Sequence, residues 1–238
     1  MSWTDKSAIK TILQLRDEFD IKEFVETGTF KGINAKLHSL NFDLVYTCEI
    51  NKTYFLNTAN TFPSNVISLN MDSSKFLTVF KIAKKLRKGK DNIPFFYLDA
   101  HFYDASLPKE KRFVVLEELK ALENFGDCII AIHDFDCEGL GHIIYDGVSL
   151  NFDLVKERLL KVNSNFNFYV NTRDYCNILT IDDVKNKKVE GIEYTPDVID
   201  SLKYVWSSPE KTYRGILYSI PKEIDLSKYC LKKLEKDD

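Results

Sequence analysis

The chain has 238 residues, 44% of them apolar, a length that fits one large α/β domain with a substantial buried core. Its 33 basic and 36 acidic side chains nearly balance. That balance excludes a global field drawing the chain to nucleic acid or to an anionic membrane.

The opening MSWTDKSAIK has no apolar signal-like stretch. No apolar run reaches the roughly 18 residues that a membrane span needs, so no membrane association is expected. Residues 6–19, KSAIKTILQLRDEF, place Ile9, Ile12, Leu13 and Leu15 at helical spacing. Apolar runs then read as buried strands at 23–27 (EFVET), 44–49 (LVYTCE), 65–70 (NVISLN), 95–100 (FFYLDA) and 128–133 (CIIAIH). Segments with helical periodicity follow at 32–40, 51–62, 73–88, 107–125 and 151–162. Short strands apolar on both faces, alternating with helices, indicate a parallel sheet covered on both sides. Right-handed crossovers restrict it to an α/β, doubly wound, Rossmann-like sheet.

NFNFYVN (165–171) and RGILYSIP (214–221) read as two later strands forming an antiparallel edge. The chain 1–238 is thus expected to be one domain. It has a helical lead in 1–20, a core in 21–171 and 214–221, an insertion at 172–213 with a helix at 197–206, and a tail at 222–238. The basic run KIAKKLRKGK (81–90) ends a helix, where positive charge complements the dipole; a solvated helix end is preferred to a phosphate patch. Cys48, Cys128, Cys137, Cys176 and Cys230 are odd in number and contain no C-x-x-C pair. They argue against a disulfide framework or a structural zinc site and for a reducing, cytoplasmic setting.

Ligands of open parallel sheets bind at the carboxyl ends of the strands, so the residues released there matter most. They are Glu26 with the turn Gly28-Thr29-Phe30-Lys31-Gly32, then Glu49, Asn70-Met71-Asp72, Asp99-Ala100-His101 and His133-Asp134. The glycines suit either a tight turn or a backbone cleared for a ligand. Glu49 lies 23 residues after Glu26, near the interval of about 20 at which nucleotide-binding units place a ribose-binding carboxylate. A dinucleotide needs G-x-G-x-x-G, which is absent, and a carboxylate beside the turn repels pyrophosphate. It suits an ammonium or sulfonium charge, favouring S-adenosylmethionine over NAD.

E-T-G-T-F-K-G resembles the E/D-x-G-x-x-x-G motif of class I S-adenosylmethionine-dependent methyltransferases, and the later strands agree in order and spacing across about 20–170 and 214–221. The resemblance implies a seven-stranded methyltransferase sheet with S-adenosylmethionine as cofactor. Glu26, Gly28, Thr29 and Gly32 would surround the methionine moiety, Glu49 would hold the ribose hydroxyls, and Asp72 with Ser73 would face the adenine. Neither the D/N-P-P-aromatic stretch of amino-methyltransferases nor the Lys-Asp-Lys-Glu set of ribose methyltransferases is present, which counts against nucleic acid. Asp99, His101, Asp104, His133, Asp134 and Asp136 instead resemble the metal-dependent small-molecule O-methyltransferases, among them the TylF-like and cephalosporin-hydroxylase-like groups. That resemblance implies a divalent metal (Mg2+ or Mn2+) on Asp99 and Asp134, and a hydroxylated small-molecule acceptor such as a sugar. Imidazole in the place of one expected carboxylate keeps a metal-free variant open, with His101 or His133 as general base beside Asp99. The glycine-bearing segment 134–153 reads as a lid or as a long loop. An RNA or cap methyltransferase, a non-catalytic cofactor-binding module and a homo-oligomeric contact all stay open.

Overall fold

The computed structural model describes residues 6–87, 92–100, 113–145, 147–172 and 214–235. The expected helix at 197–206, nearly all of the 172–213 insertion, His101 and Asp104 lie outside the described residues.

The chain opens with α1 (Lys6–Phe19), whose Ile9, Ile12, Leu13 and Leu15 are all buried. Five parallel strands follow: β1 (Glu23–Thr27), β2 (Leu44–Cys48), β3 (Val66–Leu69), β4 (Phe95–Leu98) and β5 (Ile129–His133). They are joined through α2 (Ile33–Ser39), α3 (Lys52–Thr58), α4 (Ser73–Leu86) and α5 (Val114–Ala121). A two-stranded hairpin, β6 (Ile144–Tyr145) and β7 (Val148–Ser149), precedes α6 (Phe152–Val162) and β8 (Asn167–Asn171). The last strands are β9 (Ile216–Ile220) and β10 (Leu231–Leu234).

The main sheet runs β10-β8-β9-β5-β4-β1-β2-β3. β1 to β5 pair in parallel, whereas β9 pairs antiparallel with β5 and β8, and β10 antiparallel with β8. This is the doubly wound Rossmann-like fold expected. All seven expected strands are present. An eighth, β10, occupies part of the segment read as a tail.

Alternation along the strands divides the core between two faces. Phe24, Phe95 and Tyr97 point to the layer containing α1 and α2. Val25, Phe96 and Leu98 point to the layer containing α4, α5 and α6. Asn51, Asp72 and Asn151 cap α3, α4 and α6 by accepting hydrogen bonds from backbone N–H groups of each first turn.

The order reverses between β1 and β4: the chain runs outward through β2 and β3, then returns to lie beside β1. Such a switch point leaves a crevice at the carboxyl ends of the two strands.

The 134–153 segment is held at several points by backbone hydrogen bonds. Phe135 N donates to Gly215 O (2.9 Å), Asp136 N to Leu150 O (2.8 Å), Ile143 N to Asp134 O (3.1 Å), and Gly215 N to Gly141 O (2.8 Å). Within it Phe135, Cys137 and Leu140 are buried. Only glycine fits at 215, since a Cβ there would lie 1.9 Å from Phe135 O. Cys48, Cys128 and Cys137 are buried free thiols, whereas Cys230 is disulfide-bonded. Among the described residues, no helix is long and apolar enough to cross a membrane.

Candidate functional site

A cavity of about 480 Å³ opens at the switch point, within the range of about 300–1,000 Å³ usual for small-ligand sites. Gly28 after β1, Cys48 and Glu49 at the end of β2, Asp72 and Ser73 at the start of α4, and Asp99 after β4 line it. Of the expected cofactor residues, the structure therefore brings Gly28, Glu49, Asp72 and Ser73 together around one space.

The glycine turn is built for the protein's own backbone. Gly28 has φ +82°, and a Cβ there would stand 2.8 Å from Asp99 O, so the glycine lets β1 and β4 close at the cavity floor. Gly28 N and Thr29 N both donate to Cys48 O at 3.0 Å, and Gly32 N donates to Thr29 O at 2.7 Å. Phe30 N, at a left-handed φ of 47°, donates to Glu49 Oε2 at 2.8 Å. With these four amides consumed, the turn has little left to cradle a phosphate.

Glu49 is buried, and its other oxygen accepts from Asn51 N at 2.8 Å. Each carboxylate oxygen keeps accepting capacity toward the cavity. Asp72 Oδ1 accepts from Ser74 Oγ (2.6 Å) and Lys75 N (3.1 Å). Burial pulls its pKa up, but these hydrogen bonds outweigh it and hold the carboxyl below its ordinary value.

Glu26, Thr29 and Gly32 are not among the residues that line the cavity. Glu26 lies beneath the turn, 1% exposed, where Oε1 accepts from Asn34 Nδ2 and Oε2 from Thr47 Oγ1, both at 2.7 Å. Thr29 is buried with its hydroxyl 2.6 Å from that of Thr47. Gly32 starts α2 at φ +71°, and a Cβ there would meet the Phe62 ring at 2.8 Å, a packing reason and not a ligand one.

Sequence reasoning missed the apolar wall of Phe30, Ile50, Tyr54, Met71 and Val114. Ile50 is 64% exposed directly after Glu49, and the Phe30 and Tyr54 rings meet edge to face at 4.8 Å. A large apolar side chain left open beside a buried carboxylate is the signal that could have found this wall. It offers a flat apolar shelf next to polar acceptors.

Beyond Asp99 the rim continues into a buried ionic cluster. His133 Nδ1 lies 3.1 Å from Asp99 Oδ1 and 3.4 Å from Asp134 Oδ1, and Arg214 Nε donates to Asp134. Asp134 sits at a left-handed φ of 59° and is fixed in this cluster, and such strain persists only where the surroundings impose it. Burial lowers the His133 pKa, but Asp99 and Asp134 outweigh it and raise the imidazole to about 10. The raised pKa favours the imidazolium, which donates protons, over the neutral ring that a general base needs.

The Asp99, His133 and Asp134 donors lie within 4.8 Å of one another, close enough for a single divalent ion. A metal fits this set poorly, because Arg214 already neutralises Asp134 and the imidazolium already bridges both carboxylates. An ion would have to displace the guanidinium and the imidazole proton together.

No protein-family model matches the sequence, and no curated protein matches it. Solved structures that superpose on the chain include an S-adenosylmethionine-dependent methyltransferase from Archaeoglobus fulgidus. The alignment covers 90% of this chain and 93% of that one, at 12% identity and a TM-score of 0.47. The plantazolicin methyltransferase BamL, solved with a triazolic desmethylPZN analog and SAH, aligns over 93% of this chain and 86% of its own, at 13% identity and a TM-score of 0.46. An rRNA methylase from Streptococcus thermophilus aligns over 89% and 95%, at 13% identity and a TM-score of 0.44. These are likenesses of architecture; the fold assignment rests on the strand order, and the site on its own residues.

Proposed function

We propose that the chain is an S-adenosylmethionine-dependent methyltransferase acting on a hydroxyl of a small molecule, with a sugar or sugar-containing metabolite as the first candidate acceptor. One observation carries the reading: the switch-point cavity joins a carboxylate with spare acceptor capacity (Glu49), a helix-capping carboxylate (Asp72) and an apolar shelf (Ile50, Met71, Tyr54), while the adjoining turn spends its amides internally. This suits a nucleoside with a cationic tail better than a dinucleotide pyrophosphate. When bound, the cofactor supplies an electrophilic methyl group.

The chain's own residues hold and orient the reactants. Glu49 would accept from the ribose hydroxyls, Ile50 and Met71 would cover the base, and Asp72 with Ser73 would face its edge. Asp99 both lines the cavity and belongs to the ionic cluster, so its carboxylate takes the acceptor's proton while His133 and Arg214 hold the cluster in place. His101, outside the described residues, is the second candidate base.

Calorimetry tests the cofactor half: S-adenosylhomocysteine should bind at one site per chain, and NAD should not. Methyl transfer to a panel of hydroxylated acceptors tests the other half, with Asp99→Asn and His101→Ala separating the two bases. Binding without turnover on any acceptor would support a cofactor-binding module in place of an enzyme.

A further inference from the structure

We propose that Glu26 changes charge with the ligand in the cavity, ionising when a sulfonium is bound, so that the chain tells S-adenosylmethionine from S-adenosylhomocysteine by releasing a proton. The inference rests on the cofactor reading above and assigns Glu26 a role other than lining the site.

The geometry that carries it is a reversible hydroxyl chain. Glu26 Oε2 lies 2.7 Å from Thr47 Oγ1, which lies 2.6 Å from Thr29 Oγ1, and either threonine can be the donor. With the carboxylate ionised, Thr29 donates to Thr47 and Thr47 to Oε2. With it protonated, Oε2–H donates to Thr47 and Thr47 to Thr29. Both directions keep every oxygen of the chain in a hydrogen bond, so the chain can accommodate either charge state.

The surroundings choose between the two. Asn34 from α2 is a neutral donor to Oε1, and the Cys48 thiol is held neutral by burial. Among the described residues, the charged groups acting on Glu26 are Asp99 at the end of β4 and Glu49 at the end of β2, both acidic. Burial foremost, with these two neighbours adding to it, outweighs the hydrogen bonds from Thr47 and Asn34 that favour the ionised form, and raises the carboxyl to about 8. Among the described residues, none that lines the cavity is cationic. Gly28, two residues beyond Glu26, lines the cavity together with Glu49 and Asp99, so a sulfonium there supplies a positive charge. The two ligands share the adenosine, ammonium and carboxylate groups and differ at the sulfur, which isolates this charge.

The test is titration calorimetry of the full chain with each ligand at pH 7, in phosphate and in Tris, whose ionisation enthalpies differ. S-adenosylmethionine should release on the order of half a proton or more beyond S-adenosylhomocysteine. Its affinity advantage should grow by up to about tenfold per pH unit from pH 6 and level off above pH 8. Glu26→Gln, which cannot ionise, should abolish the difference while S-adenosylhomocysteine still binds. Thr47→Val, which breaks the hydroxyl chain, should shift the pH at which the advantage levels off. Should Glu26→Gln fail to fold, the two-buffer comparison on the unaltered chain decides by itself. Equal proton release with both ligands bound would overturn the inference and leave the cofactor reading intact; binding of neither would overturn both.

Discussion

Replacing Glu49 by alanine should weaken the protein as well as the ligand site, and the structure gives the size of the first effect. Both carboxylate oxygens accept backbone hydrogen bonds at 2.8 Å, one from Phe30 N and one from Asn51 N. Hydrogen bonds to a charged acceptor contribute about 1.5–3 kcal/mol each, which brackets the loss at about 3–6 kcal/mol. The cavity admits water to the exposed amides, so the lower end, about 3 kcal/mol, is expected. For a chain of this size that lowers the melting temperature by roughly 6–12 °C. Glutamine does not rescue fully, because in either orientation its NH2 group faces a backbone N–H. The assay is thermal unfolding of the ligand-free variant beside S-adenosylhomocysteine titration of the same sample. Unchanged melting would refute the assignment of Glu49 as the brace between β2 and the turn. Lowered melting with unchanged affinity would refute its role toward the ligand.

Four further outcomes follow from the same geometry. Gly28→Ala should destabilise by about 2 kcal/mol or more, since the left-handed backbone costs about 1–2 kcal/mol and the new Cβ meets Asp99 O at 2.8 Å; chemical denaturation measures it. Glu26 has a folded pKa of about 8, above its ordinary 4.5, so its contribution is present below pH 4.5 and fades as pH rises through 8. Glu26→Gln should therefore flatten the fall in stability across that window, which has a limiting slope of about 1.4 kcal/mol per pH unit. Arg214→Ala removes the guanidinium from the buried Asp134 carboxylate and should cost about 3 kcal/mol in urea unfolding. Chelation with EDTA should change neither melting nor turnover; loss of either would restore a metal on Asp99, His133 and Asp134.

Much of the fold was legible because the central strands are apolar on both faces. Runs such as FFYL and IIAIH are wholly buried, and α1 was located from the spacing of Ile9, Ile12, Leu13 and Leu15. β10 escaped because its sequence is LKKL, and lysines that suit an exposed edge dilute the apolar pattern. The β6–β7 hairpin has two residues per strand, too few for any period to register.

At the site, Glu49, Asp72 and Gly28 were legible from their position at strand ends. The direction in which Glu26 faces was not. A carboxylate ending a strand can meet a ligand or fold under the turn, and that choice was made by Asn34 and Thr47, distant residues with no motif to announce them. The charge of His133 was hidden for a similar reason, since it depends on Asp99 and on Arg214 holding Asp134, two groups far away in the chain. Ile50, just before the segment read as helical, and Tyr54, within it, carry no motif that singles them out.

The most direct test of the central claim is equilibrium titration of the folded chain with S-adenosylhomocysteine, followed by displacement with S-adenosylmethionine. One site per chain, competition between the two ligands and no response to NAD are expected. A chain that melts cooperatively yet gives no binding signal with either ligand would contradict that claim.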